Sequence, residues 1–101
     1  MASGRESGGR PPLPEFDWDD DNELKLLERH DVSAWEAEQC FANPHTRRRG
    51  RGGALLLLGR TDGGRLLFLV YEQRAGGLVR IYSAREMNDS ERRAFRRATN
   101  D

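Results

Sequence analysis

Leu78-Val79-Arg80-Ile81-Tyr82-Ser83-Ala84-Arg85, a short connector to Asn88, and then Asp89-Ser90-Glu91-Arg92 form the stretch on which the fold turns. Alternation along a strand sends Val79 and Ile81 to one face and Arg80 and Tyr82 to the other. Asn88 with Glu91 three residues later has the residue types and spacing of a capping box, so a helix opens where the strand ends. Arg85 falls at that junction, and strand-to-helix junctions often carry function.

Upstream of this stretch, the apolar runs Ala54 to Leu58 and Leu66 to Tyr71 read as two further strands. Thr61-Asp62-Gly63-Gly64 joins them with a strong hairpin signal, and Arg74 to Gly77 makes the next turn. A meander of three strands follows, closed by a helix from about Asp89 to Ala98 that turns Phe95 and Ala98 inward and Arg92, Arg93, Arg96 and Arg97 largely outward. Nearer the N-terminus, Phe16-Asp17-Trp18 alternates as a short first strand. Asp19 is a good N-cap, with Asp20 and Asp21 in a first turn where negative charge meets the positive end of the helix dipole. Leu24, Leu27 and His30 recur at intervals of three and predict that helix's inward face, with Asp31 at its end. Ser33 and Glu36 form a second capping box, opening a helix with Ala34, Ala37, Cys40 and Phe41 inward, which Asn43-Pro44 stops. The predicted order is β-α-α-β-β-β-α, an α+β fold with helices packed on a small antiparallel sheet.

The 101 residues support one domain with a single core. Residues 1 to 14, rich in Gly, Ser and Pro, predict a disordered leader, and residues 15 to 101 the domain. With 36% hydrophobic and 34% charged residues the composition is that of a soluble protein. No apolar run approaches the roughly 18 residues of a membrane span. The absence of a signal-peptide pattern and a single cysteine, Cys40, predict a reducing, cytoplasmic setting.

The formal charge of zero hides a division. Residues 15 to 45 hold ten acids against two bases, a balance of −8, and residues 46 to 98 hold thirteen arginines against five acids, a balance of +8. That asymmetry suggests a basic surface for an anionic partner, with the acidic half facing away from it; mutual neutralisation across the fold is the alternative. Arginine, the only base of the second half, suits bidentate phosphate contacts. Arg47-Arg48-Arg49-Gly50-Arg51-Gly52-Gly53 reads as a flexible loop that either tracks a nucleic-acid backbone or is merely solvated.

With a two- or four-residue loop in the last hairpin, Tyr71 pairs with Arg80 and Leu69 with Tyr82, placing Tyr71, Arg80 and Tyr82 on one face. A guanidinium stabilises a phosphorane-like transition state and an aromatic ring stacks on a base, so the cluster suits RNA cleavage. Arg80 as an ion-pair partner of Glu72 or of an N-terminal acid, with Tyr82 in the core, is the structural alternative. His30 offers an imidazole for proton transfer, or a packing residue at a helix end. Cys40, His30 and His45 lack zinc-site spacing, and there is no nucleotide-binding loop, so neither a metal nor a cofactor is expected.

Phe16-Asp17-Trp18-Asp19, Arg29-His30, Val32-Ser33-Ala34-Trp35-Glu36-Ala37 with Phe41, Gly59-Arg60, and Arg80-Ile81-Tyr82-Ser83-Ala84-Arg85 with Glu91-Arg92 together closely resemble the BrnT toxin family of type II toxin–antitoxin modules. The resemblance covers about residues 15 to 98. It implies a RelE-like fold, a metal-independent ribonuclease that blocks translation, and a ribbon-helix-helix antitoxin of the BrnA type. Operator DNA would be met only through the antitoxin complex. The matching site candidates are His30, Arg80, Ser83 and Arg85, with Trp18 and Glu91 as supports. Arg80 and Arg85 would hold the scissile phosphate and His30 or Tyr71 would move protons, with Tyr82, Arg60 and Arg51 as further substrate contacts. Departures from the family pattern fall at Asn22 (usually Lys), Leu26 (commonly Asn), Asp31 (usually Gly) and Ala54 (commonly Arg), and at Met87 and Phe95. They imply, as the alternative, a catalytically weak or inactive relative that binds antitoxin or nucleic acid in autoregulation.

Overall fold

A computed structural model describes residues 13–99, so nearly all of the predicted leader lies outside the described residues. Helix α1 spans Asp20–His30 and α2 spans Ala34–Ala42. Strands β1 (Thr46–Arg49), β2 (Leu55–Arg60), β3 (Leu66–Gln73) and β4 (Val79–Glu86) follow, and α3 (Asp89–Thr99) closes the chain. The four strands form one antiparallel sheet in the order β1-β2-β3-β4. The fold is α+β, as the sequence predicts.

Two expectations at its margins change. Phe16 makes only a single parallel bridge to Val79, in which the Asp17 N–H donates to the Val79 carbonyl at 2.8 Å. The arginine run, expected to be a loop, is strand β1: Arg47 pairs with Leu57 and Arg48 with Leu56. A sheet edge accepts charged residues readily, because only one side of the strand needs pairing and the guanidinium groups keep it from aggregating.

Leu57, Leu67, Leu69, Tyr71, Val79, Ile81 and Ala84 face α1 and α2 and build the main core with Leu26, Val32, Ala37, Cys40 and Phe41. A second cluster of Leu58, Met87 and Phe95 lies on the opposite face, under α3. Ala98, expected inward, is exposed. Gly59 is where α2 touches the sheet, since a Cβ there would lie 2.7 Å from the Cys40 Cβ and no larger residue fits.

The inward face of α1 also differs from its periodic reading. Leu26 is the residue 2% exposed, whereas Leu24 and Leu27 remain 51% and 49% exposed. Apolar spacing left the face ambiguous, and polar docking decides it: the Asn22 side-chain amide donates to the Ile81 carbonyl at 2.9 Å, turning Asn22, Leu26 and His30 toward β4.

Candidate functional site

The last hairpin sets the site. Its loop, Ala75–Gly77, has three residues, and the Arg74 N–H donates to the Leu78 carbonyl at 2.7 Å across it. Gly76 and Gly77 stand at φ 77° and 80°, which a residue with a side chain adopts with strain, so these glycines permit the odd-numbered turn. Tyr71 therefore pairs with Ile81 and Glu72 with Arg80. The predicted Tyr71–Arg80 pairing is overturned by this one-residue shift, which puts the two side chains on opposite faces. Tyr71 is fully buried, its ring 5.1 Å from that of Phe41.

A β-bulge follows, because Val70 pairs with Ser83 and Tyr82 has no partner of its own. Bulges re-aim side chains, and here Tyr82 and the next residue, Ser83, both line one cleft. The cleft runs between β4 and α1, encloses about 340 Å³, and is also lined by Asn22, Lys25, Arg29, His30 and Arg80. The structure thus brings His30, Arg80, Tyr82 and Ser83 together. Lys25 and Arg29 join them, which the sequence reading passed over; their spacing of four along α1, which puts both on one face, was the available signal.

Arg80 sits at the mouth near the start of α1. Its Nη2 donates to an Asp19 carboxylate oxygen at 2.9 Å and its Nη1 to the Asp17 carbonyl at 3.3 Å. The Asn22 N–H and then Arg80 hold the Asp19 carboxyl below its ordinary value. Tyr82 hydrogen-bonds Glu72, and Arg74 donates to the Tyr82 hydroxyl at 3.3 Å and to Asp17 at 2.9 Å. His30 ends the helix eight residues after Asn22, roughly 12 Å along the axis at 1.5 Å per residue. The cleft is a groove with Arg80 at one end and His30 at the other.

The other candidates lie elsewhere. Arg85 is held by Glu91 in a bidentate pair at 2.8 and 2.9 Å and stacks 4.2 Å over Phe68, beneath α3. Glu91 accepts the Asn88 N–H at 2.9 Å while Asn88 accepts from the Glu91 N–H, so the capping box is formed. Arg60 is exposed at the far end of β2, pairing with Leu66, and Arg51 is exposed after β1, on the opposite edge of the sheet from β4. Trp18 supports the fold by donating to Glu38 of α2 at 2.7 Å. Burial pushes the Cys40 thiol up to about 12, so it stays protonated. His45 is engaged by Asn43 and Arg47 beside Phe41. Among the described residues, no three His, Cys, Asp or Glu side chains converge as a metal site. No described helix is long and apolar enough to cross a membrane.

Arg80, Lys25 and Arg29, with the Asp21 carboxylate beside Lys25, give this small α+β domain a groove whose charged lining is mainly cationic. The family model described as ribonuclease toxin, BrnT, of type II toxin-antitoxin system matches residues 18–91, and the chain belongs to that family. Membership makes RNA the substrate and a protein antitoxin the partner. No curated protein matches the chain.

Proposed function

We propose that this chain is an endoribonuclease that works without a metal in the groove between α1 and β4. In this reading it stops translation until a ribbon-helix-helix antitoxin of the BrnA type covers it. The observation that carries the proposal is the meeting, in one cleft, of Arg80, Tyr82 and Ser83 from the bulged strand with Lys25, Arg29 and His30 from the helix. RNA lies along the groove with its phosphates on Arg80, Lys25 and Arg29. The half-exposed Tyr82 ring stacks on a base, and Ser83 hydrogen-bonds the backbone. At the far end His30 takes the proton from a ribose 2′-hydroxyl as it attacks the adjacent phosphorus. The P–O5′ bond breaks and the 5′-oxygen leaves with a proton returned by the His30 imidazolium or by water, while the neighbouring Arg29 stabilises the dianionic transition state. The products are a 2′,3′-cyclic phosphate and a free 5′-hydroxyl.

Arg85 contributes by fixing Glu91 and the start of α3 rather than by touching RNA. Operator DNA is met only through the antitoxin complex. A second reading, a weak nuclease acting mainly in autoregulation, is favoured by one observation: the donors of both Arg80 and Arg85 already point at carboxylates.

Cleavage of a defined RNA in EDTA by the wild-type chain, with His30→Ala and Arg80→Ala as comparisons, tests the proposal. Loss of cleavage in both variants, with the fold retained and cyclic-phosphate ends in the wild-type product, is expected. Cleavage that needs added metal, or that survives His30→Ala unchanged, defeats it. A wild-type chain that binds its antitoxin but cuts nothing establishes the second reading.

A further inference from the structure

Helix α1 has two working sides. One lines the cleft; the other carries Leu24 and Leu27, 51% and 49% exposed, beside Trp35 of α2, which is 68% exposed. Together they make an apolar groove between the two helices. A solvent-facing Trp flanked by two Leu on a small domain is costly to leave in water and marks an interaction site. Trp35 makes no contribution to the core that explains it, since α2 packs through Ala37, Cys40 and Phe41.

The charge around the groove selects the occupant. Asp20 and Glu23 line it, and these two carboxylates have no cation within salt-bridge distance among the described residues, whereas Asp21, on the cleft side, is paired with Lys25 at 3.0 Å. An RNA strand is repelled by this rim, and a basic partner is attracted. A trough between two packed helices receives the ridge of a third, in the helix-in-groove mode.

We propose that this acidic, apolar trough is the docking site of the antitoxin, and that it takes a basic amphipathic helix. The helix places apolar residues at intervals of three and four against Leu24, Leu27 and Trp35, with Lys or Arg against Asp20 and Glu23. The inference rests on the toxin reading above only for the partner's identity. It also gives the two sides of α1 separate uses: antitoxin on the side of Asp20 and Glu23, RNA on the side of Lys25 and Arg29. The two sites lie one helix diameter apart, roughly 10 Å, so a partner seated in the trough is within reach of the cleft.

The test is calorimetric binding of the protein encoded beside this chain's gene, using the full-length toxin. Arg80→Ala serves as the background, so that a failure of the nuclease reading leaves the measurement intact. Trp35→Ala is expected to weaken binding by roughly 30-fold or more, the effect of removing an interface hot spot. Glu23→Lys is expected to weaken it less and to reduce its salt dependence. Trp35→Ala is expected to leave the melting temperature unchanged, Glu23→Lys to lower it slightly through the loss of a first-turn acid of α1, and neither to alter RNA cleavage when made in the wild-type chain. Unchanged affinity in both variants overturns the proposal. So does concentration-dependent self-association of the toxin that Trp35→Ala abolishes while antitoxin affinity stays the same, which would make the trough an interface between two copies.

Discussion

One Asp19 carboxyl group joins helix to strand: Oδ1 accepts the Asn22 N–H at 2.8 Å, and Oδ2 accepts from the Arg80 guanidinium at 2.9 Å. Asp19→Asn keeps a good N-cap but removes the charge that restrains Arg80. The expected result is a lower KM for RNA with little change in melting temperature. A raised KM would mean that Asp19 positions Arg80 rather than competing with RNA for it.

Acid should unfold the protein through its paired carboxyls. The Arg85 bond holds Glu91 below its ordinary 4.5. Burial pushes Glu36 up, but the Ser33 N–H and Arg65 outweigh it and leave Glu36 lowered too. A carboxyl with a depressed folded value contributes stability above its ordinary value and loses it as pH falls through the depressed one, because the unfolded chain binds the proton first. Urea titrations are therefore expected to give constant stability from neutral pH down to about 5 and a steady fall below about 4.5. Glu91→Gln should make that fall shallower.

Arg80 and Arg85 should separate by phenotype. Arg80→Ala is expected to abolish cleavage while leaving the fold intact. Arg85→Ala removes a bidentate pair and a stacked guanidinium and is expected to destabilise by about 1–2 kcal/mol, its 39% exposed side chain keeping the cost at the lower end. Its cleavage rate, measured well below the melting temperature, should fall less than that of Arg80→Ala.

Gly59→Ala is expected to destabilise by about 1–3 kcal/mol, since the new methyl group meets the Cys40 Cβ at 2.7 Å and α2 must lift from the sheet. Chemical denaturation reads this directly. A change within a few tenths of a kcal/mol would mean that α2 is free to slide.

Tyr71→Phe tests the hairpin register. The Tyr71 hydroxyl is buried and finds no hydrogen-bond partner among the described residues, so its removal should be neutral or stabilising by up to about 1 kcal/mol. RNA cleavage is expected to be unchanged. Lost cleavage would return Tyr71 to the site.

Much of this was readable in the chain because it depends on near neighbours. Both capping boxes, Ser33 with Glu36 and Asn88 with Glu91, form where their spacing places them, as does the Asp19 cap. Five of the six residues at which the resemblance marks a departure are accounted for only in three dimensions. Asn22 pins α1 to β4 through the Ile81 carbonyl, Leu26 fills the core, and Asp31 adopts the left-handed C-cap at φ 55°. Met87 and Phe95 fill the second core under α3.

The sequence by itself determined the three helices, the β2–β3–β4 meander and the charge division, since caps, turn residues and period-two patterns act over a few residues. Tertiary structure alone decided which side of α1 faces inward, that Arg47 to Arg49 join the sheet, and which candidates share a cleft. A three-residue turn at Ala75–Gly77 and a bulge at Tyr82 shift the register by one residue each, and with a period of two each shift exchanges the faces. No local pattern around Tyr71 or Arg80 encodes that; it follows from how the glycine turn closes and how the helices dock.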